Sequence, residues 1–426
     1  MAEVASVFQT KRIGVESTPG TEVQAGKLLQ SVGFTATVTP TIEEFTPEGS
    51  KVTAMTIYVR DMTDVSMTGK PTYDELTYIL AMLFGEPDVT NPSGTAYVRN
   101  YKMNSRAADA FKTFTLDFGY DEYWYRATSM FLKDFTFKIS TDSVDIDGSG
   151  MAQSLTMDHS ASSASSIYKL DLTGSTGGTF TITKGAATTS ALTHNVTAAN
   201  FQTAIGGLAT VGVGNVTVTK ANSVYMISFN NSLADQLVTI TATTGSITGT
   251  IPSPALTTHQ TGAALTTIPL KPIMVTHADI YLEDSYGALA AATPISRGFN
   301  YEFAVKNKMD VVRPIRSTVK SFDGVVETKP DVDVTLSMSA DNLGRAMLTT
   351  MRNSGKKYLR VKCTGETITG AEKYTLQIDQ AVQIMELSGP EDQNGIFALN
   401  WTFRAVEDTN LPGGFKITLE NTVVTL

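Results

Sequence analysis

The sequence has little cysteine, little charge and no long apolar run. Its single cysteine, Cys363, excludes an intramolecular disulfide and a cysteine-based metal site. No stretch approaches the roughly 18 apolar residues of a membrane span, and the first twenty residues contain no apolar core of a signal peptide. We therefore expect a protein that is neither inserted in a membrane nor exported, and that assembles in a reducing cytoplasm.

Acidic residues outnumber basic residues. Charged residues make up only 18% of the chain, and the formal net charge is -9 with a sequence pI of about 5.1. A field of this sign repels polyanions, so the composition disfavours tight binding of nucleic acid. Hydrophobic residues make up 42%, which is typical of a globular protein with buried cores.

Motifs of catalysis and ligand binding are incomplete. Gly20, Gly26 and Lys27 imitate a phosphate-binding loop, but the glycines are one residue too far apart and Leu28 stands where a hydroxyl is needed. The four histidines are scattered and form no pair at helical spacing that could hold zinc. The sequence therefore predicts no enzyme, no cofactor and no metal site.

A second incomplete motif involves Asp145, Asp147 and Gly148, which imitate the start of a calcium loop. Calcium needs several hard oxygens and a closing bidentate glutamate, and Ser154 stands at that closing position. The interpretation favoured instead is a polar hairpin turn at Asp147 and Gly148.

The residues that are abundant point to β-structure. Thr, Val, Ile, Phe and Tyr recur in short runs separated by Gly, Asn, Asp and Pro, as in strands joined by turns. Near residue 160 the composition shifts to a segment rich in Thr, Ser, Ala and Gly and poor in charge, and a Pro-punctuated stretch at 248–269 closes it. We expect three parts: 1–160, an inserted β-rich module at 161–264, and 265–426.

The inserted module has a mixed pattern. Residues 178–184, 215–219 and 224–229 predict strands, and 197–208 predicts a short helix capped by Thr197. A small β sandwich or β/α module is expected.

The two flanking parts share an order of elements. Each has a long two-strand stretch (34–62 and 298–338), then a helix, then several strands. The first helix, 71–85, carries a Thr72 and Glu75 capping box and ends at Gly85. The second, 339–355, has Ser339 as its cap and Gly355 as its stop. Asp147-Gly148 and Asn394-Gly395 predict equivalent turns. These parallels predict a tandem duplication of one β-plus-helix domain.

A long strand pair, one capped helix of about four turns and further antiparallel strands resemble the tail-tube fold of long-tailed bacteriophages, the siphophages. The resemblance covers both flanking parts. It implies a mainly β fold of two tandem tail-tube-like sandwich or barrel domains, each with one flanking helix, and a structural virion protein whose trimers form pseudo-hexameric rings. The inserted segment, with GGTF and NVTAANFQTAI, is similar to modules that decorate phage structural proteins. Many tube proteins carry such a module at the C-terminus, whereas here it lies between the domains.

A conduit for DNA is expected to have an acidic wall, because like charges repel inside a narrow channel. The acids in the stretches assigned to the inner wall are Glu43, Glu44, Glu48, Asp61, Asp64, Asp323, Glu327, Asp331 and Asp333. Two interpretations of the concentrations of basic residues stay open: solvated strand and loop faces, or contacts to acidic patches of a neighbouring subunit. Their members are Lys306, Lys308, Arg313, Arg316, Lys320, Lys356, Lys357 and Arg360.

The resemblance implies that the chain's partners are its own copies, together with tape-measure, terminator and tail-tip proteins, while double-stranded DNA only passes through. Other classes stay open. A bacterial surface or adhesin protein would share the β-rich composition, a tail terminator or distal tail protein would share the fold, and a β-structured hydrolase would need a convergent catalytic set.

Overall fold

The structure is a computed structural model that describes residues 9–120, 123–157, 165–234, 236–253, 255–260, 265–313, 321–340, 342–393 and 395–426. Strands dominate it, and the described chain contains three α-helices. The prediction of a mainly β fold is confirmed.

In its described residues, the first flanking part contains ten strands and one helix. Its elements are β1 Thr10–Val15, β2 Lys27–Leu29, β3 Val32–Phe45, β4 Met55–Gly69, α1 Leu76–Phe84, β5 Asp88–Ser93, β6 Ala96–Tyr101, β7 Phe114–Tyr120, β8 Tyr123–Ile139, β9 Val144–Ala152 and β10 Ser154–Met157.

The middle part, as far as the structure describes it, contains eight strands and one helix. They are β11 Ile167–Asp171, β12 Ser175–Lys184, β13 Ala187–Thr188, β14 Leu192–Thr193, α2 Ala198–Gly206, β15 Val216–Ala221, β16 Val224–Phe229, β17 Thr241–Gly249 and β18 Leu256–Gln260.

Outside residues 314–320, 341 and 394, the second flanking part contains eleven strands and one helix. They are β19 Thr266–Thr267, β20 Ala278–Glu283, β21 Gly298–Lys306, β22 Met309–Val312, β23 Gly324–Glu327, β24 Asp331–Ser339, α3 Asn342–Arg352, β25 Lys356–Thr369, β26 Glu372–Leu387, β27 Glu391–Gln393, β28 Ile396–Ala405 and β29 Phe415–Asn421.

The middle part has a core of its own. One sheet runs β15–β16–β11–β18, and in a second sheet β12 pairs with β13, β14 and β17. The rings of Phe180 and Tyr225 pack on Phe201 of α2, with centroids 5.3 and 5.2 Å away. Thr197 caps that helix as predicted, because its hydroxyl accepts a hydrogen bond from the Asn200 N–H at 3.2 Å. The buried cluster draws only on residues of this part.

The flanking parts repeat one topology. In the first, strand pairing runs β1–β7–β8–β9–β4–β3, with β10 beside β8. In the second, it runs β20–β25–β26–β28–β24–β21, with β29 beside β26. The elements also follow in the same chain order, and the helix comes after the equivalent strand each time. A β-bulge recurs too, between Leu132 and Asp134 in β8 and between Ile384 and Glu386 in β26. The repeated order agrees with a tandem duplication.

The two repeats are nevertheless joined. Strand β8 of the first pairs with β21 of the second, β6 pairs with β29, and one buried apolar cluster draws on both. The boundaries near residues 160 and 264 stay a prediction, since 158–164 and 261–264 lie outside the described residues.

Helix α1 is buried on every side, whereas the sequence pattern predicted one apolar face. The helix begins at Leu76 rather than at residue 71. Thr72 accepts a hydrogen bond from the Glu75 N–H at 3.2 Å, which is half of the predicted capping box. The other half is wrong, because the Glu75 carboxylate instead accepts from the backbone N–H groups of Gln30 and Ser31, at 2.6 and 3.2 Å. Burial beside a turn with unpaired donors outweighs the local motif.

Two further local predictions need correction. Asp147 and Gly148 lie inside strand β9, not in a turn, because that strand is held between β4 and β8. Helix α3 begins at Asn342 and Ser339 ends strand β24, so Ser339 is not its cap. The left-handed residue after α3 is Ser354, with φ of 51°, rather than Gly355. Gly395, with φ of 79°, lies in a turn between β27 and β28 as predicted, while Asn394 lies outside the described residues.

A pair of carboxyl groups on neighbouring strands predicts a pH effect on stability. Burial, and then the neighbouring Glu372 carboxyl, raise the pKa of Glu420 to about 7, against the opposing effect of Lys362. An acid whose pKa is raised on folding stabilises the fold fully below its unfolded pKa, near 4.5, and loses that contribution as the pH rises towards 7. Urea unfolding midpoints should therefore fall between pH 5 and pH 8, and Glu420→Gln should flatten that fall. Glu48→Gln, in an exposed turn, serves as the control. An unchanged pH dependence in Glu420→Gln would contradict this assignment.

Candidate assembly surface

The two repeats build one antiparallel sheet of eight strands. Its order is β3–β4–β9–β8 from the first repeat and then β21–β24–β28–β26 from the second. Strand β27 continues the line of β26 along β28. The internal junction is β8 with β21, and the sheet ends at β3 on one side and at β26 and β27 on the other. Beyond β3, and beyond β26 and β27 after Gln383, where the pairing of β26 with β25 ends, the described chain supplies no further strand.

One face of this sheet is apolar and packs on α1 and the core. Alternation along each strand sends every second side chain to this face. Its buried members are Phe34, Val65, Met67, Phe135, Phe137, Ile146, Tyr301, Phe303, Val305, Val332, Val334, Leu336, Trp401 and Phe403.

The opposite face is polar, and its carboxylates outnumber its cations. In antiparallel pairs, residues directly opposite each other share a face, so the register identifies its members. The carboxylates are Asp64, Asp134, Asp145, Asp147, Glu302, Asp331, Asp333 and Glu386. The cations are Lys138, Lys306 and Arg404, together with Lys70, which lies 2.5 Å from Asp145.

Ion pairs across the strands order this polar face. Lys138 Nζ lies 2.7 Å from Asp147, and Arg404 lies 3.1 Å from Asp333 and 3.4 Å from Asp331. These side chains are partly exposed, so each pair contributes little to stability. Their effect is to hold the acids in fixed rows rather than to neutralise the face.

A two-stranded ribbon, defined here as residues 38–62, extends from the sheet. Strand β4 pairs with β9 only from Thr63 onward, so before that point β3 and β4 pair only with each other among the described strands. The ribbon exposes large apolar side chains on both faces: Val38, Ile42, Phe45, Val52, Met55, Ile57, Tyr58 and Val59. An isolated two-stranded hairpin is only marginally stable in water, and exposed apolar patches of this kind mark interaction sites. The ribbon is therefore a surface that another molecule can cover.

The equivalent hairpin of the second repeat, β22 with β23, folds back on the first repeat instead. Its flanking Phe322 packs edge-on against Phe131, with centroids 6.0 Å apart, and Met309 and Met151 complete the small apolar cluster.

Lys308 at the base of this hairpin is 1% exposed and is held in place by two carboxylates. Its Nζ lies 2.8 Å from Asp109 and 2.5 Å from Glu327. The buried charge is thus compensated by oxygens from both repeats.

The acids predicted to line a channel fall on several surfaces. Asp64, Asp331 and Asp333 lie on the polar face, and the register continues that face along the ribbon to Glu43. Glu44 and Asp61 point to the opposite face of the ribbon, because side chains alternate along a strand. Glu44 directly follows Glu43 in β3, and Asp61 directly follows a residue of β4 whose partner in β3 is on the polar face. The others lie elsewhere: Glu48 in the turn at the ribbon tip, Asp323 exposed just before β23, and Glu327 in the ion triad with Lys308.

The basic residues predicted to contact a neighbouring subunit mostly have partners within the chain. Lys356 lies 3.4 Å from Asp408, Lys357 lies 2.5 Å from Asp284, and Arg360 lies 2.6 Å from Asp379. Lys306 pairs with Asp333 at 3.6 Å. Lys308 is buried and cannot reach a neighbour from its position. Arg313 is exposed, while Arg316 and Lys320 lie outside the described residues.

Sequence reasoning missed Asp134, Asp145, Asp147, Glu302 and Glu386 on the polar face. Asp145 and Asp147 alternate with Val144 and Ile146, a period of two that signals a strand. The Asp-Gly pair masked that signal.

Two features of other protein classes are absent from the described residues. None of the helices in this part of the chain is long and apolar enough to cross a bilayer. No group of three or more His, Cys, Asp or Glu side chains in the described ranges is arranged to hold a metal ion.

Two solved structures are similar to part of this chain. The SPP1 tail tube, determined by solid-state NMR and cryo-EM, is 9% identical, with 36% of this chain and 81% of that chain covered and a TM-score of 0.24. The Hcp1 protein of E. coli EAEC 042 is 11% identical, with 34% of this chain and 97% of that chain covered and a TM-score of 0.19. No family model and no curated protein matches the chain.

The Lys308 ion triad yields a prediction on stability. Lys308→Ala leaves two buried carboxylates without their cation, which should lower the free energy of unfolding by about 3–5 kcal/mol. Lys306→Ala, which removes an exposed pair two residues away, should cost less than about 1 kcal/mol. Urea unfolding followed by the fluorescence of buried Trp401 compares the two. Equal losses in both variants would contradict the structural role of Lys308.

Proposed function

We propose that this chain is the structural subunit of a siphophage tail tube, in which three copies close a ring and stacked rings form a conduit for double-stranded DNA. The observation that carries the proposal is the eight-stranded sheet, which has one buried apolar face, one acidic polar face and two open ends. No enzymatic activity and no cofactor belong to this function.

Open sheet ends favour self-assembly. An unpaired strand edge presents backbone donors and acceptors that another strand can pair with, and closure into a barrel removes both edges at once. Each chain supplies two repeats of four strands. Three chains would supply six repeats, which makes a pseudo-hexameric ring with cyclic threefold symmetry.

The polar face would then line the lumen. Phosphates passing a wall rich in carboxylates stay hydrated and centred, whereas a wall of lysines would gain binding energy by releasing counterions and would hold the DNA. The cations present are paired with neighbouring acids, which leaves the face with an acid excess.

The remaining parts find places in the same assembly. The middle module, with its separate core, would decorate the outside of the tube. Tape-measure, terminator and tail-tip proteins would contact the lumen and the tube ends. The subunit would assemble in the host cytoplasm and reside in the virion tail.

Negative-stain microscopy with native mass measurement tests the proposal. Rings of three chains, alone or stacked into tubes, are expected from the purified protein. Monomers at every concentration would overturn it and favour an adhesin-type protein. Single unstacked rings that cap tubes would favour a tail terminator.

Removal of the middle module is a second test. A variant lacking residues 165–262, with a short Gly/Ser linker in their place, should form tubes with an unchanged lumen and a smaller outer diameter, because that module's core is self-contained. Electron microscopy measures both diameters. A variant that folds, by circular dichroism, but forms no tubes would show that the module takes part in ring contacts.

Charge reversal tests the lumen assignment. Glu43→Lys with Asp64→Lys places two cations on the polar face, and DNA release from phage particles should slow, more so at low salt where screening is weaker. Glu44→Lys with Asp61→Lys is the matched control, because it makes the same change in charge on the opposite face of the ribbon. Normal release in the polar-face variant, or equal slowing in both, would contradict the assignment.

A further inference from the structure

We infer that Ala36–Val38 at the open edge of β3 pairs, antiparallel, with Leu387–Gly389 of a second copy of this chain. The inference rests on the proposed function and names the contact that would close the ring. It follows from the internal junction between the repeats, which serves as a template for the external one.

The template is the pairing of β21 with β8. Its register places Tyr301 opposite Ile139, Phe303 opposite Phe137 and Val305 opposite Phe135. Here the leading strand of the second repeat pairs with the trailing strand of the first. The leading strand of the first repeat is β3 and the trailing strand of the second is β26 with β27, and both lack that partner in the described chain.

The recurring β-bulge fixes which residues correspond. Leu132 and Asp134 flank it in β8, and Ile384 and Glu386 flank it in β26, so Phe135 corresponds to Leu387. Gly150 pairs with Leu132 and Phe403 pairs with Ile384, so Gly150 corresponds to Phe403. Val65 pairs with Gly150 and Val334 pairs with Phe403, so Val65 corresponds to Val334. Ala36 pairs with Val65 and Phe303 pairs with Val334, so Ala36 corresponds to Phe303.

The corresponding external pairs follow directly. Tyr301, Phe303 and Val305 correspond to Phe34, Ala36 and Val38, while Phe135 corresponds to Leu387. The external junction therefore places Val38 opposite Leu387 and, two residues further along, Ala36 opposite Gly389.

Backbone hydrogen bonds inside the chain leave the required groups free to face outward. Lys70 N–H donates to the Ser31 carbonyl at 3.2 Å, so Ser31 faces β4 and the alternating residues of β3, among them Phe34 and Ala36, face the open edge. Ser388 N–H donates to the Asn400 carbonyl at 2.9 Å, so Leu387 and Gly389 face the other open edge. The two sets meet as hydrogen-bonded pairs in the inferred register.

Burial supports the same contact independently. At the internal junction Val305 is 0% exposed and Val144 is 3% exposed. Their counterparts at the sheet ends are Val38, 40% exposed, and Phe397, 72% exposed. Apolar side chains that the internal junction covers are therefore matched by apolar side chains that nothing in the described chain covers. A neighbouring repeat docked in the same way would cover them.

Disulfide trapping tests the register. Thr37 and Ser388 would form a pair between the hydrogen-bonded ones, where Cα atoms lie about 4.5 Å apart, within the range that a disulfide spans. Thr37→Cys with Ser388→Cys should give covalent dimers and trimers on a non-reducing gel after mild oxidation. Native Cys363 is buried and does not compete.

Two matched variants control the trapping. Thr136→Cys with Ala304→Cys makes the equivalent change at the internal junction, and should lose its free thiols within a monomer. Thr37→Cys with Gly389→Cys places the two thiols on opposite faces and should remain uncrosslinked.

The outcomes separate this inference from the proposed function. Rings that form without crosslinking at 37 and 388 would overturn the inferred register and leave the tube subunit standing. Efficient crosslinking of the 37 and 389 variant would also overturn it. Absence of both rings and crosslinks, while the internal control oxidises, would overturn the proposed function itself.

Discussion

Pairing between β8 and β21 is the interaction on which the rest of the molecule depends. Backbone groups at a sheet edge need partners, and this junction satisfies one edge of each repeat with the other. It also aligns the two apolar faces, so that Phe137 and Phe303 contribute to one core. The pairing of β6 with β29 also joins the repeats, but it does not connect these two faces. Through the pairing of β8 with β21, the polar faces of both repeats form one surface whose two ends are open.

The two hairpins show how the same topology can serve different ends. In the second repeat, apolar residues and the Lys308 triad fold the hairpin down onto its neighbour. In the first repeat, the ribbon carries exposed apolar side chains on both faces, and within the described residues only Met62 at its base packs on the cluster of the other hairpin. The two hairpins differ in their neighbours, because only the second repeat is preceded in the chain by another repeat on which its hairpin can pack.

Much of the fold could be predicted from the sequence, because alternation along strands and helix signals act locally. The helices, the separate middle core and the repeated order of elements were visible in this way. Three things were not. The junction between repeats is a contact between strands over 150 residues apart, and no local pattern encodes it. Glu75 matched a capping motif, yet tertiary burial gave its carboxylate other partners. Asp147-Gly148 carried the chemistry of a turn but was held in a strand by pairing on both sides.

For the candidate site, only the sign of the charge on the polar face could be predicted from the sequence. Acidic residues were expected on the inner wall, and an acid-rich face exists, but half of a run such as Glu43 and Glu44 must face away because a strand alternates. Basic residues were expected to contact a neighbouring subunit, and most of them pair with carboxylates of the same chain. Charge counts along a sequence cannot show which partner a long side chain reaches.

The internal and external junctions also differ in the size of the side chains that would meet there. Phe137 and Phe303 meet inside the chain, whereas their counterparts, Gly389 and Ala36, are among the smallest residues. In a ring of three such chains, three junctions within chains would alternate with three weaker junctions between chains. Weak junctions separate and re-form, so a misplaced subunit can leave before the circle closes, while covalent linkage keeps each strong junction intact at any protein concentration. Duplication would thus give the assembly a means of correcting errors.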